Sequence, residues 1–460
     1  MGKLKDKAAV TQMTDADYIL GVFGGATGKM SIDNFRRHIN DDDKQVLNDL
    51  AFYLDINTAH PTASQKVTVG GNLHMVDALF SQRQNVLMNA KGEYIKLNRN
   101  DSRYTADGEA IVNISTNTIL SKWAHCDLMM ILPEYYGRVL TVTTGRNSKD
   151  LLYLSPLPLP NGFVIPRQVV GICKATHVSD VMRSLPGYVS DNGRQIIGTN
   201  NAGRIGFWET AQARSKNHGL ANLDFRNWLL WYMMGTYGYR DSQGCKTADG
   251  TLVWGVGLDG TENTSGSTDS GWDRQSGIKH GQTLSLGIYD GKVAVTDSAG
   301  GIAHSVNVAG FCDPWGQRWE MVQGLCSMTN SNDVYCWRHN WLPTGTPTAA
   351  TFANVDCVKL TRKTSNDLGV MNIVTDKQNQ GVYMIPKASG SNLGYNDNYY
   401  YAASGQLWFF GGASYFGSSC GLACSYSNIG WSESSSPFSA RLAYYGNIKE
   451  VSKTFLAESK

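Results

Sequence analysis

"DPWGQRWEMVQG", residues 313–324, sets two tryptophans, a methionine and a valine behind an Asp-Pro lead-in. Pro314 removes a backbone donor and Gly316 tolerates a left-handed turn, so the pair bends the chain just before Trp319. The stretch therefore reads as a strand with its lead-in turn, in which Trp315, Trp319, Met321 and Val322 fill core. A ligand box built on the same aromatics is the other reading.

Outward from this strand, tryptophan divides the chain. Of twelve tryptophans in 460 residues, only Trp123 precedes residue 200. A chain of this length favours two or three domains. With 42% hydrophobic and 10% aromatic residues it can fill real cores. "SPLPLPNGFVIP" (155–166), with four prolines, is the expected joint. Three regions follow: 1–58, an N-terminal segment with helices; 59–155, a β-rich intermediate region; and 156–460, a C-terminal domain. In the first, "YILGVFGGATGKMSIDNFRRHI" predicts a strand, a glycine turn and a helix from near Asp33. "DDDKQVLNDLAFYLD" predicts a helix on Val46, Leu47, Leu50 and Leu54. "KVTVGGNLHMV", "EAIVNIS" and "GRVLTVTTG" predict β-structure, with Asp107-Gly108 as a turn. In the C-terminal domain, "NLDFRNWLLWYMMG" predicts a buried helix capped by Asp224 and stopped at Gly235. "LSLGIYDGKVAVT" (284–296) predicts a hairpin turning at Asp290-Gly291. The fold class is α+β.

Composition excludes several functions. A formal charge of +2 makes no electrostatic case for nucleic acid. No apolar run of membrane-spanning length and no secretory leader is visible, so a soluble, cytoplasmically made protein is expected. Dinucleotide, phosphate-loop, zinc-protease and nucleophile-elbow motifs are absent, and no enzyme activity is expected. Nine cysteines are odd in number and irregularly spaced, which suits buried thiols better than a disulfide framework or a zinc ribbon. "LDGTENTSGSTDSGWD" (258–273) offers Asp259, Glu262, Asp269 and Asp273 as oxygen donors. It lacks EF-hand spacing, so a solvated loop is favoured over a calcium site and no cofactor is expected. Cys420 and Cys424 lie close together, but no nearby cation lowers a thiol pKa.

The second informative stretch is "LWFFGGASYFGSSCGLACSYSNIGWSESSSPFSARLAYYG", residues 407–446. Between Gly411 and Ala440 it holds ten serines and five aromatics against a single charge, Glu433. Disordered linkers avoid aromatics, whereas binding loops combine Tyr and Trp anchors with adaptable Ser, Gly and Asn. The expected ligand-binding set is Ala413, Ser414, Tyr415, Phe416, Ser419, Tyr426, Asn428, Ile429, Trp431, Ser435, Pro437 and Phe438. Trp408, Phe409, Arg441 and Leu442 are its anchors.

"AGFCDPWGQRWEMVQGLC" (309–326) resembles the tryptophan-rich strand of the C-type-lectin fold in its formylglycine-generating-enzyme-like branch. Residues 408–444 resemble the variable region of proteins diversified by retroelements. "NWLLWYMMGTYGYRDSQG" is similar to the helix segment of the same domains, and "YILGVFGGATGKMSI" resembles the opening of phage tail proteins. The resemblance implies a C-type-lectin-like domain over 156–460, with a variable region at about 407–442, behind a virion-attachment and trimerisation region. It implies a homotrimeric tail-fibre adhesin, carried on the virion beside other tail proteins, that binds a bacterial surface protein or glycan receptor. It further implies mutation at adenines of asparagine codons. That mechanism reaches Ala413, Tyr415, Phe416, Ser419, Tyr426, Asn428, Ile429, Ser435, Pro437 and Phe438, but neither Trp431 nor Glu433. The calcium-lectin sugar motifs and the catalytic cysteine context of formylglycine-generating enzymes are missing. A copper oxidase using Cys420 and Cys424, and a diversified cell-surface protein, are the other readings.

Overall fold

The computed structural model describes residues 18–23, 26–31, 44–56, 66–98, 103–113, 115–144, 147–188, 193–254, 290–296, 302–316, 318–368, 371–375, 381–386, 395, 397–412, 421–435 and 438–459. These residues form an α+β architecture dominated by strands. The strand at Trp319 is confirmed: Trp319–Ser327 is buried at all nine positions, and Trp315, Met321 and Val322 are buried with it. Gly316 has φ +85 in the lead-in turn, as the bend requires.

This strand lies within an eight-stranded sheet. The order runs Val358–Thr361, Asp333–Cys336, Trp319–Ser327, Leu407–Phe410, Ser425–Ile429, Asn398–Tyr401 and Asp367–Leu368. The short strand Phe438–Ser439 adds in parallel to Trp319–Ser327. The sheet separates two apolar clusters by the period-two rule of strands. Leu407 and Phe409 face one cluster with Trp319 and Met321. Trp408 and Phe410 face the other with Val322.

Behind the second face runs the helix Leu223–Tyr237, with Leu223 to Met234 all buried. Its ends differ from expectation. Asn222 is the N-cap, accepting from the Phe225 amide, and Gly238 with φ +71 is the C-cap. Asp224 instead pairs with Arg338 at 2.6 Å. Gly235 sits inside the helix, where a Cβ would crowd Phe80 and Phe52. Close packing, not helix termination, explains that glycine.

The expected joint at 155–166 does not separate two sheets. A seven-stranded sheet orders His218–Leu220, Leu442–Tyr444, Gln168–Gly171, Asp127–Leu132, Gln84–Met88, Glu93–Lys96 and Lys449–Glu450, drawing strands from both sides of the joint. Phe163–Ile165, inside the proline-rich stretch, pairs with Tyr135–Gly137 at the edge of a five-stranded sheet. Three proline-free residues suffice for an edge pairing, so the chain does not stay a linker.

Smaller expectations divide similarly. Asp107 (φ 48) and Gly108 (φ 79) make the expected turn, in the geometry of a type I′ hairpin. The helix around Leu47 ends by residue 50, and Leu54 belongs to the strand Phe52–Asp55. Within "KVTVGGNLHMV" only Val69–Gly71 is a strand, and His74–Phe80 is a helix. Tyr18–Phe23 and Ala26–Ser31 form an antiparallel hairpin, while the helix expected from Asp33 lies outside the described residues. So does the first arm of the 284–296 hairpin; its second arm, Gly291–Thr296, pairs with Ile302–Val308. Among the described residues no helix is long and apolar enough to cross a membrane.

Candidate functional site

The serine-rich segment is held by its anchors. Gly411 (φ +81) lies where a Cβ would run into the Pro314 carbonyl, and at Gly421 a Cβ would strike the Ser242 hydroxyl. Leu407–Phe410 is buried throughout. At the far end the chain passes from Phe438–Ser439 in the eight-stranded sheet to Leu442–Tyr444 in the seven-stranded one. Arg441 occupies the crossing, fully buried. It pairs with Glu320 at 3.0 Å and donates to the carbonyls of Gly171, Ile172 and Cys312 at 2.8–3.0 Å. Its guanidinium also lies over the Phe225 and Phe311 rings. Burial alone would raise the Glu320 carboxyl, yet the charges of Arg441, Arg226 and Lys174 hold it below its ordinary value. Lys174 is pushed down to about 7 by its own burial and donates to the Arg318 carbonyl at 2.5 Å. One buried charge network thus ties three sheets beneath the segment.

Between the anchors, the side chains of the strand Ser425–Ile429 differ in burial. Ser425 and Ser427 are buried. The Ser427 hydroxyl bonds Tyr399 at 2.7 Å and accepts from Arg362 at 3.0 Å, and Tyr399 stacks on Trp408. Tyr426, Asn428 and Ile429 are half-buried. The Tyr426 ring lies 4.9 Å from Trp319 and 5.6 Å from Tyr400 on the parallel neighbour strand. The Asn428 side-chain Oδ1 is shielded from solvent and has no hydrogen-bond partner. The result is a polar-aromatic ledge on a rigid strand.

Two expected ligand residues are core instead. Phe438 is 3% exposed, with its ring 4.3 Å from Phe409. Its strand pairs with Trp319, which turns the ring into the same apolar cluster. Trp431 is also 3% exposed. Ser435 is half-buried. Ala413, Ser414, Tyr415, Phe416, Ser419 and Pro437 lie outside the described residues, as do Cys420 and the acidic loop 258–273. Cys424 is buried. Among the described residues no group of three His, Cys, Asp or Glu side chains is placed to hold a metal ion.

Tyr400 was not anticipated, although the alternation through "NYYY" (398–401) signals it: Tyr399 points in and Tyr400 joins the ledge. A cleft of about 680 Å³, reaching from Trp208 to Trp431, was missed entirely. Its walls come from segments too far apart in sequence to suggest one another.

His218, on the strand paired with Leu442–Tyr444, gives a testable pH dependence. Burial pushes its imidazole down to about 4, and its Nδ1 bonds Ser215 at 2.7 Å. The unfolded chain binds this proton near the ordinary value of about 6.5. Stability is therefore full above that pH and falls as pH drops toward about 4, by roughly 3 kcal/mol from this group. In denaturant titrations over that window, His218→Gln should flatten the dependence.

Compared with known proteins, the chain matches no known family and no curated relative.

Proposed function

We propose that this protein is a receptor-binding adhesin of the phage tail-fibre kind, with a C-type-lectin-like C-terminal domain that presents a diversified face to a bacterial surface molecule. The observation that carries the reading is the division of the strand Ser425–Ile429. Ser427 is locked to Tyr399 and Arg362 and Ser425 is buried, while Tyr426, Asn428 and Ile429 are only half-buried, with Tyr426 and Ile429 resting on the Trp319 cluster. Half-buried positions on a strand held by buried neighbours change at less cost than the buried ones do. Tyrosine beside serine and asparagine is the composition of adaptable recognition surfaces. Binding then comes from the half-buried ledge and from 413–419, with Phe438 and Trp431 as internal supports. The working unit is a homotrimer, so light scattering should give about three times the 50.4 kDa of one chain.

The test is adsorption of the labelled full chain to a bacterial panel. Joint replacement of Tyr426, Asn428 and Ile429 by serine should reduce adsorption about tenfold or more while the chain stays folded in a thermal melt, its melting temperature lowered only modestly. Unchanged adsorption, or no adsorption to any strain by the unaltered chain, would contradict the reading.

A further inference from the structure

We infer that the cavity between Arg167, Asn222 and Arg338 is a second binding site, and that its ligand presents a small oxyanion, a carboxylate or a phosphate group. The inference rests on the cavity's own atoms and does not require the ledge to bind anything. At about 300 Å³ the cavity lies at the lower end of the range of about 300–1,000 Å³ usual for small-ligand sites. Four segments wall it: the strand Gln168–Gly171 with the two residues before it, the strand Leu442–Tyr444 with Tyr445, the N-terminus of the helix Leu223–Tyr237, and the stretch 338–340.

Asn222 is the residue that points to a ligand. It is 6% exposed, and as the helix N-cap its Oδ1 accepts from the Phe225 amide at 3.2 Å. That bond settles which end of the side-chain amide is which, so Nδ2 is aimed the other way. Nδ2 has no acceptor among the described residues, yet it is not shielded from solvent, and its residue lines the cavity. An oxygen from water or from a ligand can therefore reach a donor whose direction is already fixed. Gln168 adds an adjustable amide. Neither of its ends has a partner among the described residues, so a half-turn brings its NH₂ group to the cavity without breaking a bond.

Charge selects the kind of oxygen. No Asp or Glu lines the cavity, whereas Arg167 and Arg338 do. Arg338 is held by Asp224 at 2.6 and 3.2 Å, and Asp224 is itself buried behind it. Arg167 is exposed and has no acidic partner among the described residues. Two arginines against Asp224 leave one positive charge uncompensated. The helix adds to it, because the amides of its first turn and its dipole favour an anion at the Asn222 end. A cationic ligand would meet like charge there.

The walls are also set in advance. Asn340 Nδ2 donates to the carbonyls of Lys216 and His218, each at 3.1 Å. The Tyr445 hydroxyl donates to the Leu220 carbonyl at 2.6 Å. Both side chains are thus committed to backbone and hold their places without a ligand, which lowers the cost of binding one.

The experiment is calorimetric titration of the full chain with sodium succinate and, separately, with sodium phosphate, with glycerol as the neutral control. Sodium chloride at about 0.15 M screens unspecific attraction. Asn222→Asp keeps a good N-cap acceptor for Phe225 and replaces the donor by a negative charge, so folding should be retained in a thermal melt. Arg167→Gln removes the exposed charge, and Tyr426→Ser serves as the ledge control. The expected result is saturable one-to-one binding of succinate, phosphate or both, the two arms telling which oxyanion fits. Asn222→Asp should weaken it about tenfold or more and Arg167→Gln by a smaller factor. Tyr426→Ser should leave it unchanged, and glycerol should not bind. No saturable binding of either anion up to about 10 mM, binding indifferent to Asn222→Asp, or glycerol bound as well as the anions would overturn the inference. Should Asn222→Asp fail to fold, Arg167→Gln carries the decision. Anion binding without adsorption to any bacterium leaves the cavity standing alone, and adsorption without anion binding leaves only the adhesin reading.

Discussion

Arg441→Leu should cost about 3–5 kcal/mol in denaturant unfolding of the full chain, because removing one partner leaves Glu320 as an uncompensated buried charge. Both side chains are completely shielded from solvent. The leucine would also remove the charged donor to the carbonyls of Gly171, Ile172 and Cys312, of which Ile172 keeps the Cys312 amide as a second donor. The lost charge-assisted bonds add to the cost. An exposed control, Glu433→Gln, should stay within about 0.5 kcal/mol. A loss below about 1 kcal/mol for Arg441→Leu would show that the crossing strand does not depend on this network.

Trp319→Ala and Phe438→Ala should each cost about 3–5 kcal/mol, as large aromatic truncations in closed cores do. Trp319 contacts Tyr426 and Tyr400 from below, and Phe438 contacts Phe409. Tyr426→Ala should cost only about 1–2 kcal/mol, since the ring is half-buried and gains mainly from its aromatic neighbours. The ordering matters more than the values. If Tyr426→Ala proved as costly as Trp319→Ala, the ledge would be core and no longer a surface to be varied.

The strand at Trp319 was legible because dense apolar residues behind a Pro-Gly bend admit few other readings. The helix at Leu223–Tyr237 was legible in type but not in its ends. Asp224 has the right chemistry for a cap, yet Asn222 takes that role and Arg338, more than a hundred residues away, claims the carboxylate. Sequence-local rules cannot see that competitor. Phe438 misled for the converse reason. Serines and a proline on either side read as loop, but a two-residue parallel pairing with Trp319 decides where its ring goes. The cleft was invisible because its walls, among them Trp431 and Glu209, are brought together only by the fold. Arg441 was recognised as an anchor, though the sequence carried no sign that Glu320 would be its partner.

The central claim is that one face of this segment is free to change while the other is held. Sequencing sibling copies of the gene and its flanking DNA tests this most directly. The account predicts a nearby near-copy with adenine-rich asparagine codons, and substitutions concentrated at Ala413, Tyr415, Phe416, Ser419, Tyr426, Asn428 and Ile429. Gly411, Gly421, Ser425, Ser427, Arg441 and Leu442 should be constant, and Phe438 should stay apolar. Substitutions falling as often on Ser425 and Ser427 as on Tyr426 and Asn428, or changes at template bases other than adenine, would contradict it.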